Sequence, residues 1–299
     1  MYLVKKLLTT HILVTGATGL LGCTLVPELE ARGYIVTRHG FHSTAQVQAD
    51  LCSYAETAVM LEQCRPDCII NLVGLTNVDT CELDPHSAYL LNVVTVQNLC
   101  CWIKRETSDC HLIQISTDQL YDTLGPHRET EVTIRNSYAF SKIAAEIAAA
   151  SVNSSILRTN FFGRSRCTKR VSFSDWIYQS LHQQLPLQVF EDVLFSPLSS
   201  STLCNMIELV VQQRPLGIFN LGSRDGLSKA DFAYALAEEL GLPRQTMRRI
   251  RLSDMTTLKA HRPKDMRMDS SQFEQHFGLQ LPKLIDEIIS IRSQYLESA

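Results

Sequence analysis

Several things are missing from this chain, and each absence closes a class of function. No Lys/Arg block in its 299 residues is long enough to track a polyanion, and the net charge is -3, so no nucleic-acid partner is expected. No stretch approaches a membrane span, and the opening MYLVKKLLTT is too short and too weakly apolar for a signal peptide. There is no CxxC pair; Cys64 and Cys68 have Pro66 between them, and Cys100 and Cys101 are adjacent. The ten cysteines therefore read as reduced, mostly buried thiols rather than as disulfides or metal ligands. No carboxylate cluster argues for a metal, and there is neither an internal repeat nor a low-complexity segment. The expectation is a cytoplasmic protein with no membrane contact.

What is present supports a sizeable core. Hydrophobic residues make up 45 % and charged residues 20 %, ordinary values for a globular chain of one large or two modest domains. The densest basic stretch, Arg244, Arg248, Arg249 and Arg251, reads as a solvated helix end, with a surface anion site as the alternative.

HILVTGATGLLG opens with an apolar β-branched run, breaks into glycines and continues as a helical pattern through Leu20, Leu21, Leu25 and Leu29. Further strands are expected at 33–39, 47–51, 67–74, 111–117 and 154–160, with helices at 54–64, 84–105 and 136–151 between them. Short connections and strict alternation predict an α/β fold, a Rossmann-type doubly wound parallel sheet over residues 1–163. From 164 to 299 the alternation weakens, and a smaller, partly interleaved substrate lobe is expected. There LSKADFAYALAEELGL predicts a helix capped by Ser228 and stopped at Gly241, and a final helix aligns Leu284, Ile288 and Ile291.

Gly16, Gly19 and Gly22 follow GxxGxxG at the first strand-to-helix crossover. The first suits the sharp turn, the second a close approach of backbone to a pyrophosphate, the third tight packing of helix on sheet, with the helix N-terminus facing the phosphates. Thr18, Leu20 and Leu21 complete the loop as cofactor-binding candidates. An acid after the second strand would select NAD(H); TRHG offers Arg38 and His39 instead, and Arg38 suits a 2′-phosphate. NADP(H) is therefore favoured over NAD(H). Asp50, followed by Leu51, is placed either to accept from the adenine amino group or to cap the helix over 53–64.

Tyr138 and Lys142 in NSYAFSKIAAE share one face of the expected helix. Carbonyl reduction needs a proton source aligned with a hydride donor, and a phenol with its ordinary pKa near 10 is a poor one until a neighbouring ammonium stabilises its phenolate. Ser116 and Thr117, ending the expected strand HLIQIST, supply hydroxyls where ligands sit in such sheets. Alone, the pair is indistinguishable from a surface contact; behind a dinucleotide loop and Thr117 it reads as catalytic.

TGATGLLG, ISTD, YAFSK and ILRTNFFG together resemble the extended short-chain dehydrogenase/reductase superfamily. Within it, INLVGLTNVDTCELDPHSAYLLNVVTVQNL, STDQLYD and RPKDMRMDSSQFEQHFG are similar to dTDP-4-dehydrorhamnose reductases, over residues 11–292. The resemblance implies that Tyr138 donates the proton, that Lys142 binds ribose and tunes Tyr138, and that Thr117 orients the sugar C4 carbonyl. It implies that Asn71, Leu72 and Val73 line the cofactor path and that Asn92 holds backbone near the site. For the sugar-nucleotide substrate it implies Thr76, Asn160, Phe161, Phe162, Asp192 and Arg262, with Arg158 and Thr159 nearby and Asp269 organising the lobe. A homodimer is common on this fold. Ala139 stands where the family usually has glycine, and DVLFSPL keeps Asp192 and Pro197 of a longer family stretch. The alternatives are a nucleotide-sugar dehydratase, disfavoured by Gln119 after Asp118, an epimerase, disfavoured by the missing acid after the second strand, and a non-catalytic NADP-binding regulatory subunit like the beta subunit of methionine adenosyltransferase.

Overall fold

The computed structural model describes residues 10–41, 45–106, 109–168 and 170–296, so the N-terminal segment read against a signal peptide lies almost wholly outside the described residues. Thirteen strands occur among the described residues: β1 His11–Thr15, β2 Ile35–Gly40, β3 Val47–Gln48, β4 Cys68–Asn71, β5 His111–Thr117, β6 Ser154–Thr159, β7 Phe161–Phe162, β8 Leu187–Phe190, β9 Leu194–Phe195, β10 Leu198–Ser199, β11 Gly217–Leu221, β12 Leu227–Ser228 and β13 Met247–Ile250. The α-helices are α1 Gly22–Ala31, α2 Tyr54–Cys64, α3 Val78–Leu83, α4 Pro85–Tyr89, α5 Thr95–Glu106, α6 Ser137–Ala149, α7 Phe173–His182, α8 Ser200–Gln213, α9 Lys229–Glu239, α10 Ser271–Phe277, α11 Leu284–Ser290 and α12 Arg292–Leu296.

Seven strands form one sheet in the order β11-β6-β5-β4-β1-β2-β3. The sheet is parallel where β1 meets β2 and β4, where β4 meets β5 and where β2 meets β3. The order reverses at β1, which puts the glycine loop at the switch point of a Rossmann-type sheet. The central strands CIIN and HLIQIST are buried almost throughout, as a strand covered on both faces must be.

The chain divides into two units. The first comprises Met1–Ser116, Asn136–Leu157 and Cys204–Ile218; the second comprises Thr117–Arg135, Arg158–Leu203 and Phe219–Ala299. Each has its own apolar core. In the first, Leu13, Ile69 and Leu112 of the sheet pack against Met60 and Leu61 of α2, Leu99 and Trp102 of α5, and Ala145 and Ala149 of α6. In the second, Phe162, Phe195 and Phe232 meet edge to face, surrounded by Ile177, Leu181, Leu236, Leu284, Ile288 and Ile291.

Three expectations change. The helix expected over 84–105 is interrupted by a π-helical turn, Leu90–Val94, between α4 and α5. Part of the basic stretch is a strand rather than a helix end: Met247 of β13 is buried opposite Leu187 of β8, and Arg248 and Arg249 are exposed. Its cations are matched by acids, Arg249 with Asp231 at 2.8 Å and Arg251 with Glu191 at 3.2 Å. None of the ten cysteines is in a disulfide, but only Cys68, Cys81, Cys100, Cys110 and Cys204 are buried.

Candidate active site

Gly16 leaves β1 with φ +66°, and a Cβ there would lie 3.2 Å from the backbone of Leu72 and Val73. Only glycine makes that turn so close to β4. A Cβ on Gly22 would lie 2.5 Å from the Ala17 carbonyl oxygen, so this glycine lets α1 close on the loop backbone rather than on the sheet. Leu21 at the N-cap of α1 offers no side-chain cap and the first turn carries no acid. The positive end of the helix is therefore available to a phosphate. Thr18 is exposed, Gly19 and Leu20 are half-buried, and Leu21 faces inwards.

His39 supports this loop from below. Its Nε2–H donates to the Ala49 carbonyl at 3.0 Å, which leaves Nδ1 to accept from Gly16 N–H at 3.4 Å. Burial pushes its pKa down, so the ring stays neutral. Expected as a cofactor contact, His39 is instead 2 % exposed and shapes the loop.

Arg38 also differs from expectation. β2 continues to Gly40, so Arg38 is not at the strand end. Its guanidinium forks onto Glu30 of α1, with Nη2 at 2.6 and 2.8 Å from the two carboxylate oxygens. The acid absent from the strand end is thus supplied by the last turn of the helix. Asp50 does not cap α2, because Ser53 does, accepting from Glu56 N–H. Asp50 instead accepts from Cys52 N–H at 2.9 Å, which fixes the turn after β3. Leu51 is buried in the first core, so only its backbone can face a ligand.

Beyond β4 the half-buried Leu72 and Val73 border Gly16, and the exposed Thr76 precedes the Asn77 cap of α3. A buried polar row ties the strand ends together: Thr15 Oγ1 donates to Asn71 Oδ1, and Asn71 Nδ2 donates to Gln114 Oε1 at 2.8 Å. Asn92, in the π-turn, reads the backbone of Leu75 through both amide atoms and donates to Ser141 Oγ at 2.8 Å. Such turns re-aim a side chain without breaking the helix, which is what Asn92 does here.

Helix α6 is capped by Asn136, whose Oδ1 accepts from Ala139 N–H at 2.7 Å. Ala139 is fully buried and helical, so its methyl fits where the resembled family carries glycine. Tyr138 and Lys142 are both buried on this helix, at 7 % and 6 % exposure, which a surface pair would not be. Lys142 Nζ donates to the Ile115 carbonyl of β5 at 2.7 Å. Burial pulls its pKa down to about 8, against the opposing charge of Glu146.

In the second unit Thr117 accepts from Gln119 N–H at 3.2 Å and turns the chain out of β5. Asp118 is 2 % exposed and accepts from Asn160 Nδ2 at 2.7 Å. Burial raises its pKa to about 6, although Asn160 and the Lys229 charge act against that rise. Lys229 was not marked by anything in the sequence beyond its place after the Ser228 cap. Its ammonium stands over the rings of Phe173 and Phe195 at 5.5 and 5.9 Å, and its pKa is lowered by burial and by Arg262. Asp118, Asn160, Lys229 and Arg262 therefore form one charged cluster.

Other expected substrate residues are engaged elsewhere. Phe162 is buried in the second core, while Phe161 is half-buried. Arg158 lies inside β6, bonded to Tyr121 Oη at 2.8 Å and to the Glu129 carbonyl at 2.6 Å, so it is an internal brace. Asp192 accepts from Leu252 N–H at 2.8 Å and pairs with Lys264 at 3.1 Å. Asp269 accepts from Ser271 N–H at 2.9 Å at the entry to α10. Among the described residues no helix is long and apolar enough to cross a membrane, and no group of three or more His, Cys, Asp or Glu could hold a metal ion.

Comparison with known proteins agrees with this architecture. A probable low-salt glycan biosynthesis reductase of Haloferax volcanii is 25 % identical over 95 % of this chain and 98 % of its own. A dTDP-4-dehydrorhamnose reductase of Aggregatibacter actinomycetemcomitans is 27 % identical over 90 % of this chain and 94 % of its own. The solved structure of a dTDP-4-dehydrorhamnose reductase of Bacillus anthracis in complex with NADP superposes with a TM-score of 0.85 at 20 % identity, covering 97 % of this chain and 99 % of that one, a likeness of fold. Residues 10–295 match the family model described as the RmlD substrate binding domain, and the chain belongs to that family.

Proposed function

We propose that this protein is an NAD(P)H-dependent oxidoreductase that reduces the C4 ketone of a 4-keto-6-deoxy sugar nucleotide, of the dTDP-4-dehydrorhamnose kind, in the cytoplasm. The observation that carries the reading is the buried Tyr138–Lys142 pair on α6, with Lys142 held on the Ile115 carbonyl of the strand that ends in Thr117. The glycine loop fits a dinucleotide, because a side chain at Gly16 would fill the space beside Leu72 and Val73. When bound, the nicotinamide supplies the hydride. Tyr138 supplies the proton to the carbonyl oxygen as that oxygen gains charge, Lys142 favours the resulting phenolate, and Thr117 orients the carbonyl.

The second unit serves the sugar nucleotide. Lys229 and Arg262 suit the diphosphate, and Asp118 with Asn160 suits sugar hydroxyls. Under this reading NADPH is the preferred donor and the protein works as a homodimer. The test is loss of nicotinamide absorbance when NADPH and freshly generated 4-keto-6-deoxy sugar nucleotides are mixed with the protein. Tyr138→Phe should lower the rate by about 10²- to 10⁴-fold, the usual share of a general acid. No turnover of any such ketosugar by the native protein refutes the reductase reading and leaves the regulatory-subunit alternative; unimpaired Tyr138→Phe refutes the mechanism alone.

A further inference from the structure

Glu146 follows Tyr138 by eight residues and Lys142 by four, so the three side chains occupy successive turns of one face of α6. Glu146 is 1 % exposed. A carboxylate so deeply buried is kept only where something compensates it. Here Ser116 Oγ–H donates to Glu146 Oε1. The residue before Ser116, Ile115, offers its carbonyl to Lys142 Nζ. Two adjacent residues of β5 thus anchor the cation and the anion side by side, and neither hydride delivery nor proton donation by Tyr138 uses the anion.

We infer that Glu146, held by Ser116, is a positioning residue for Lys142: its charge keeps the buried ammonium protonated and seated on the Ile115 carbonyl, and so sets the pH range in which Tyr138 works. The inference rests on the proposed function for its catalytic meaning, but its electrostatic part stands apart from turnover. Burial alone favours a neutral amine, and the Glu146 charge is what opposes it.

The other groups facing α6 do not duplicate this. From β5 come the Ile115 carbonyl and the Ser116 hydroxyl. On α3, Asp79 is half-buried, and Glu82 is exposed and accepts from Ser137 N–H at the far, N-terminal end of α6. The thiols of Cys81 on α3 and Cys100 on α5 are pushed up to about 11 by burial and stay neutral. On α4 His86 is exposed, as are Lys104, Arg105 and Glu106 on α5.

The test replaces Glu146 with Gln, which keeps the shape and an acceptor for Ser116, and with Asp, which keeps the charge. The ionisation of Lys142 is followed by NMR of isotope-labelled lysine, its signal assigned by its loss in Lys142→Arg. Glu146→Gln should lower the midpoint by roughly one pH unit or more, the usual effect of a neighbouring charge, and Glu146→Asp should recover most of the shift. An unchanged midpoint in Glu146→Gln overturns the inference. If Glu146→Gln does not fold, Glu146→Met, which removes the charge and keeps an apolar side chain of similar length, takes its place: a midpoint as high as the native one overturns the inference. In the pH–rate profile with NADPH and ketosugar the alkaline limb should move down with the midpoint. A protein that turns over no ketosugar would fail the functional reading while leaving the NMR comparison intact.

Discussion

Arg38 and Glu30 show how one residue's partner changes its meaning. The guanidinium suits a 2′-phosphate, yet it is forked onto a carboxylate on the preceding helix. Both side chains are partly exposed, at 51 % and 33 %, and such pairs are worth at most about 1 kcal/mol, so a doubly charged phosphate can displace Glu30. Glu30→Gln should then tighten NADPH and leave NADH unchanged, while Arg38→Ala should weaken NADPH more than NADH. Cofactor titrations followed by nicotinamide fluorescence read both. Equal effects on the two cofactors would place selectivity elsewhere.

At the scale of elements, α1 and its loop depend on a contact that needs a hydrogen in place of a side chain. Gly22→Ala would press a methyl into the Ala17 backbone at 2.5–2.7 Å, with no flexible side chain to yield. The loop must shift, at a cost on the order of 1–3 kcal/mol, and dinucleotide affinity should fall with it. Urea unfolding and cofactor binding measured together check this; a stable variant with native affinity would show that the loop is free to move. Glycine spacing made the loop legible, because the constraint is local. The same holds for α2, expected and found at 54–64, and for the Ser228 cap, which accepts from Asp231 N–H at 2.9 Å. The π-turn at Leu90–Val94 was not legible, since its apolar spacing is helical and the partner of Asn92 within it, Leu75, is 17 residues away. Lys229 and Glu146 were hidden for a related reason. A charged residue on a helix reads as solvent-facing unless the partners that bury it, here on distant strands and loops, are known.

Across the whole chain, two buried groups, His111 in the first unit and Asp118 in the second, respond to acid in opposite directions. In the first unit burial lowers His39, and lowers His111 to about 4, with the Arg214 charge adding to the effect. His111 Nε2 donates to Ser155 Oγ at 2.8 Å, because the Ser155 hydroxyl is committed to the Pro215 carbonyl. A histidine lowered in the fold binds its proton more readily when unfolded, so its contribution is complete above about pH 6.5 and is lost as pH falls towards 4, on the order of 3 kcal/mol for His111. Asp118 in the second unit runs the other way. Raised to about 6, it penalises the fold by a similar amount, about 3 kcal/mol, once it is ionised above that pH, and the penalty disappears as pH falls towards 3.8. Between pH 7 and 5 the relief at Asp118 should therefore offset much of the loss at His111. Asp118→Asn, whose amide oxygen can still accept from Asn160, removes the compensating group. That variant should exceed the native protein in stability at pH 7.5, lose the advantage by about pH 4, and show the steeper acid decline that the histidines impose. Urea midpoints for both proteins at several pH values between 7.5 and 4.5 decide it: curves that run parallel would mean that Asp118 carries no such burden.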